Sequence, residues 1–140
     1  MSNIVSLQIG QNKIRLGDLI DSYHNANNTE GYRVYKDGWC EHWGLYGNLP
    51  CNSITEVTLL KHFKLVNNSN WHVNTYKDYG GVQVTCSQVG YGYISTLSGA
   101  FSASNKIKLY HQHSEGKAGM SVKWEAKGYL TDEEMSTYNL

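Results

Sequence analysis

Side chains capable of chemistry fall in a few places. Cys40 and His42 stand two residues apart, and on a strand that spacing turns both the same way. A thiol activated by an imidazole needs a third group to orient the base, and the sequence offers none. A packed cysteine beside a histidine at a polar edge accounts for the pair equally well. His111-Gln112-His113 places two imidazoles on one strand face, too few for a metal from one chain. Copies about a threefold axis would complete an octahedral shell. The plainer reading is a pair of histidines near the exposed end of a sheet strand, so no metal site and no cofactor is assigned. The carboxylates do not form the opposed pair that glycoside hydrolysis needs. Asp37 belongs to a turn, Glu41 and Glu125 are strand residues without a visible partner, and Asp132-Glu133-Glu134 reads as a solvated tip. Asn27-Asn28-Thr29 and Asn67-Asn68-Ser69 match the glycosylation sequon, but with Asn this abundant chance matches are expected. No catalytic residue is assigned, and the chain is read as not an enzyme.

Composition points to binding. Eleven Tyr and four Trp against two Phe favour rings with one packed side and one wet side, as at interfaces and sugar sites. Saccharides stack their C–H faces on such rings while polar groups bond the hydroxyls. The best candidates lie in Gly- and Asn-rich loops, where the core does not consume them. Tyr76 and Tyr79 precede Gly80-Gly81, Tyr91 and Tyr93 are interleaved with Gly90 and Gly92, and Tyr46 follows a hairpin. Trp71 and Trp124 are spaced as core residues and are left out. Twelve basic and twelve acidic side chains cancel, without the Lys/Arg clustering that nucleic-acid binding requires. No apolar run reaches the roughly 18 residues of a membrane span. The first residues lack a signal peptide's basic start and apolar stretch, so synthesis in a cytoplasm is expected. Cys40, Cys51 and Cys86 make an odd, unpatterned set in which no disulfide framework is expected.

The elements that must position these residues are strands. Asp37-Gly38 separates two runs rich in aromatic and β-branched residues, a strong hairpin signal. A two-residue loop would set Tyr35 opposite Cys40 and Tyr32 opposite Trp43. Tyr32, Val34, Trp39 and Trp43 would then share one face, with Arg33, Tyr35, Cys40 and His42 on the other. Apolar bulk on both faces points to a second sheet or a second copy, and places Tyr32, Tyr35 or Trp43 near subunit contacts. Before the hairpin, Leu7/Ile9 and Ile14/Leu16 alternate around Gly10-Gln11-Asn12 as a smaller hairpin, and Asp21 to Glu30 reads as an Asn-rich linker or loop. After it, strands are expected at Thr55–Leu65, Trp71–Tyr76, Val82–Cys86, Ile107–His113 and Met120–Ala126. Ser95–Ser104 reads as a loop or short strand. Thr131 with Glu134 makes a capping box for one turn of helix. The pattern is that of an all-β chain, a small antiparallel β-sandwich.

The run Gly-Tyr-Arg-Val-Tyr-Lys-Asp-Gly-Trp-Cys-Glu-His-Trp-Gly at 31–44 resembles a signature of the C-terminal receptor-binding domains of bacteriophage tail fibres. Two further stretches agree in order: Thr55 to Phe63 with Asn70-Trp71-His72-Val73, and Trp124-Glu125-Ala126-Lys127-Gly128-Tyr129. Together they frame residues 31 to 129. His42 stands where Gln is usual and His62 where Pro is common, and the chain runs on past the usual end. The resemblance implies a β-sandwich related in shape to H-type lectins and assembled as a homotrimer at a fibre tip. Residues 1–30 would be an N-terminal segment, shaft remnant and linker, and residues 31–140 the receptor-binding head. Its implied role is attachment of the virion to host surface saccharide, with other fibre segments as partners, without nucleic acid, membrane insertion or cofactor. The alternatives are a trimerisation or capping module at a fibre end, and a stand-alone H-type lectin.

Overall fold

The computed structural model describes residues 6–9, 12–15, 18–65, 82–90 and 93–138. In these residues the chain is an all-β sandwich of antiparallel sheets. Strands β1 (Ser6–Ile9) and β2 (Asn12–Arg15) pair as the expected small hairpin, with Leu7 opposite Ile14. Strands β3 (Leu19–His24), β4 (Glu30–Tyr35), β5 (Trp39–Leu49), β7 (Gln83–Gln88) and β10 (Met120–Tyr129) build a five-stranded sheet in the order β3-β4-β5-β10-β7. A three-stranded sheet, ordered β6-β9-β8, uses β6 (Thr55–Thr58), β8 (Thr96–Ala103) and β9 (Lys106–Gln112). A short helix, α1 (Asp132–Ser136), follows β10.

Alternation decides which residues face inward. Met120, Val122, Trp124 and Ala126 of β10 are buried in the expected pattern, with Ile107 and Leu109 of β9 and Val34, Cys40 and Leu49 of β4 and β5. Phe63, Leu59 and Leu130 from the connections complete the core. Half-buried Val84 and Cys86 of β7 face the same way as expected.

The β4–β5 hairpin around Asp37-Gly38 forms one residue away from the expected register. Val34 pairs with Cys40, Tyr32 with His42 and Gly31 with Trp43. Its loop holds three residues, Lys36-Asp37-Gly38, because Gly38 at φ +97° takes the left-handed position that ends a three-residue turn. Its N–H donates to the Tyr35 carbonyl at 2.8 Å, and Asp37 Oδ1 accepts from the Trp39 N–H at 3.0 Å. A one-residue slip exchanges the faces of one strand relative to the other. Tyr32 and Val34 therefore join Cys40 and His42 on the inner face, while Arg33, Tyr35, Trp39 and Trp43 lie outside.

The Asn-rich stretch expected as linker or loop divides in two. Asp21 to His24 belongs to β3 and pairs with β4. Only Asn25 to Thr29 turns, and Asn25 holds it: its Oδ1 accepts from the Thr29 N–H (2.8 Å) and its Nδ2 donates to Thr29 Oγ1 (2.8 Å). Ser95–Ser104, expected as a loop or short strand, contains the eight-residue β8, with Leu97 and Phe101 turned to the core. The expected strand Trp71–Tyr76 lies outside the described residues.

Candidate functional site

A groove of about 570 Å³ crosses the outer face of the five-stranded sheet. Strand pairing builds it. Trp43 of β5 stands opposite Glu125 of β10, which stands opposite Thr85 of β7. One step along, Leu45, Lys123 and Ser87 form a parallel row. The β3–β4 turn makes one wall, where Trp43 Nε1 donates to Asn28 Oδ1 at 3.4 Å. Trp43 lies down on Gly31 of β4, where any Cβ would overlap the indole, so glycine is required at that position. The Arg33 guanidinium lies over the same indole, 5.0 Å from its centroid. The groove thus offers hydroxyls and amides, an indole, an aliphatic patch, two cations and a carboxylate.

A second polar constellation lies beside α1. Lys61 is buried, and its Nζ donates to the Tyr138 hydroxyl at 2.8 Å and stands 3.7 Å from Glu134 and 3.9 Å from Asp21. The Tyr138 hydroxyl in turn donates to Asp21 Oδ2 at 2.7 Å. The ammonium also faces the Tyr32 ring at 4.7 Å and the Tyr138 ring at 5.1 Å. Burial and the Asp21 carboxylate push both phenols above their ordinary range. Thr131 caps the helix as expected, accepting from the Glu134 N–H, but the Glu134 carboxylate does not close the box. It accepts instead from the His62 N–H at 2.9 Å. Glu134 is therefore an internal residue, and only Asp132 and Glu133 of that acidic run are solvated. Every member of this cluster has a partner within the fold, which makes it a fastening of the C-terminus.

The residues first singled out for chemistry are consumed by packing. Burial pushes the Cys40 thiol up to about 12, so the thiolate needed for attack is not available at neutral pH. His42 is fully buried, with Nδ1 donating to the Gly31 carbonyl (2.7 Å) and Nε2 accepting from the Leu60 N–H (3.0 Å). Burial holds it down at about 4. His111, expected near an exposed end, is fully buried as well. Its Nε2 donates to the Leu49 carbonyl (2.8 Å), and Nδ1 accepts from Ser95 Oγ (3.2 Å). It faces the core because β9 runs inward at Ile107, Leu109 and His111. Both nitrogens are thus taken by partners within the chain. His113 Nδ1 accepts from the Glu115 N–H. Among the described residues no three His, Cys, Asp or Glu side chains converge to hold a metal. The strand carboxylates do have partners: Glu41 accepts from the Tyr35 hydroxyl at 3.3 Å, and Glu125 pairs with Lys127 at 3.2 Å. All three cysteines are free.

Of the five tyrosines expected to contact ligand, Tyr76, Tyr79 and Tyr91 lie outside the described residues. Tyr46 packs its ring against the core from β5. Tyr93 donates to the Ala118 carbonyl at 2.7 Å and meets the His113 ring edge-on at 5.5 Å. The groove is not legible in the sequence. Its one signal was Arg33 and Trp43 in strands with polar neighbours, and pairing of β10 beside β5 was needed to bring Lys123 and Glu125 to them.

Solved structures share this fold. An N-truncated R2-type pyocin tail fibre matches over 81% of this chain and 39% of its own, with a TM-score of 0.54 and 14% identity. A C-terminal portion of the R2 pyocin fibre of P. aeruginosa matches over 81% and 27%, with the same TM-score and identity. The chain spans well under half the length of either, and at this identity the likeness establishes the fold alone. No protein-family model and no curated protein matches the chain.

Proposed function

We propose that this chain is a receptor-binding domain of a phage or pyocin-type tail fibre, attaching the particle to bacterial surface saccharide without chemical turnover. The observation that carries the reading is the sandwich fold shared with pyocin fibre chains over 81% of the residues. Supporting it, the Tyr- and Trp-rich composition suits saccharide, and a groove of mixed polar and aromatic lining lies open on the larger sheet. On this reading residues 31–140 together with β3 and its turn are the head, the residues before β3 join it to other fibre segments, and the assembly is a homotrimer at a virion's fibre tip, made in the host cytoplasm. Tyr46, Tyr76, Tyr79, Tyr91 and Tyr93 stand as proposed saccharide contacts. Three heads on one cell surface would multiply a weak single-site affinity by about 10²–10⁴.

The test is retention of the purified protein by bacterial cells and by an array of bacterial oligosaccharides. Binding to both is expected, with Tyr79→Ala and Tyr91→Ala each reducing cell binding while the fold is kept. A protein that binds neither cells nor saccharide overturns the reading. It would leave the capping module, which Ile54 at 65% and Ile94 at 88% exposure favour, since such side chains suit contacts between subunits.

A further inference from the structure

We infer that the groove on the five-stranded sheet is a subsite for an acidic saccharide, one carrying a carboxylate or phosphate; this rests on the saccharide-binding reading above. Two cations of the groove are left without an ion pair among the described residues. Arg33 and Glu41 are direct cross-strand partners, the arrangement in which an ion pair is expected. Glu41 instead accepts from the Tyr35 hydroxyl, and Arg33 makes no ion pair among the described residues. Its guanidinium is laid over the Trp43 indole, a stacking that leaves the in-plane N–H donors available. Glu125, the one carboxylate among the described residues that line the groove, is held by Lys127, which does not line it. Lys123, exposed beside Leu45 and Ser87, also has no anionic partner among the described residues. Two cations therefore converge on one groove whose own carboxylate is neutralised from outside.

The remaining lining tells what carries the anion. Thr29, Thr85 and Ser87 supply hydroxyls, Asn28 an amide, and Trp43, Leu45 and Val89 an apolar rim. That mixture suits a ring with C–H faces and several hydroxyls. A peptide that augments a sheet pairs along the backbone of one edge strand, whereas this groove runs across the outer face, lined by side chains of β4, β5, β10 and β7. Arg33 offers a bidentate fork to a planar carboxylate or a phosphate, with Lys123 as the second charge.

Calorimetric titration of the native protein with three oligosaccharides tests the assignment: oligogalacturonate, a phosphorylated oligomannose and a neutral oligogalactose. The parent is expected to bind at least one acidic probe about tenfold or more tighter than the neutral one, since charge-assisted hydrogen bonds carry that much. That preference should weaken as salt is raised. Arg33→Gln and Lys123→Gln should each bring acidic binding down to the neutral level, with melting curves unchanged because both side chains are exposed. Lys108→Gln, on the outer face of the other sheet, should bind as the parent does. If the parent binds neutral and acidic probes alike, or if both groove variants keep the acid preference, the subsite is wrong while saccharide binding stands. If the parent binds no saccharide and no cells, the underlying reading fails and the subsite with it.

Discussion

His42 shows how a residue type that suggests chemistry is turned to structure. The Leu60 N–H donates to its Nε2, so the ring must be neutral, and burial holds its titration at about 4. An unfolded histidine titrates near ~6.5. Between those values the unfolded chain takes up a proton that the folded chain refuses, so the neutral ring stabilises the fold fully above about pH 6.5. That contribution falls as pH drops toward 4, by up to about 1.4 kcal/mol per pH unit. Urea unfolding of the parent and of His42→Gln from neutral pH down to about 4 should show it. The parent's advantage, about 1–3 kcal/mol at neutral pH for a buried bonding group, should shrink through that window. An advantage constant with pH would rule the mechanism out. Cys40 beside it follows the same logic: a period-two alternation that places a thiol inward also removes the water that a thiolate needs.

At the scale of elements, α1 is too short to hold itself, since an isolated helix of one turn is unstable in water. It is tied down by Lys61, around which Asp21 of β3, Glu134 of α1 and Tyr138 gather. Removing one member of a buried charge group strands the others, so Lys61→Met should cost about 3–5 kcal/mol. Lys64–Asp132, an exposed pair between the connection after β6 and the same helix, should contribute little, and Lys64→Met should change stability by less than about 1 kcal/mol. Thermal and urea melts of the two variants decide the point; equal losses would show that the Lys61 cluster is no more than surface charge. The missed strand β8 belongs to this scale too. Its inward positions are Leu97, Gly99 and Phe101, and a Cβ at Gly99 would stand 2.7 Å from Val84 of the other sheet. The residue that allows the sheets to meet there interrupts the apolar alternation by which a strand is recognised.

For the whole molecule, the proposed trimer is the statement with the sharpest test. Of the three aromatics expected at subunit contacts, Tyr32 is turned to the Lys61 cluster, while Tyr35 and Trp43 face outward. Ile54, beside Ser98, Ala100 and Tyr110 on the outer face of the smaller sheet, and Ile94 near its edge supply further exposed apolar surface. Sedimentation of the native protein at micromolar concentration is expected to give the mass of three chains, and Ile54→Glu with Ile94→Glu to reduce it. A single-chain mass for the parent would overturn the assembly.

The sequence by itself determined what is local. Alternation at Met120, Val122, Trp124 and Ala126 marked an inner face, Asp37-Gly38 placed a turn, and Thr131 placed a helix cap, because each depends on residues within one turn or one strand. Tertiary structure decided the rest. The hairpin register depended on a choice between loops of two and three residues, which differ locally by little and are separated by what each puts in the core. His111 became a core residue only when Leu49 of the opposing sheet offered its carbonyl. Arg33 and Lys123 came to one groove through the pairing of β10 against β5. No periodicity records such a pairing, since it is fixed by the summed burial of two sheets and not by any residue along the way.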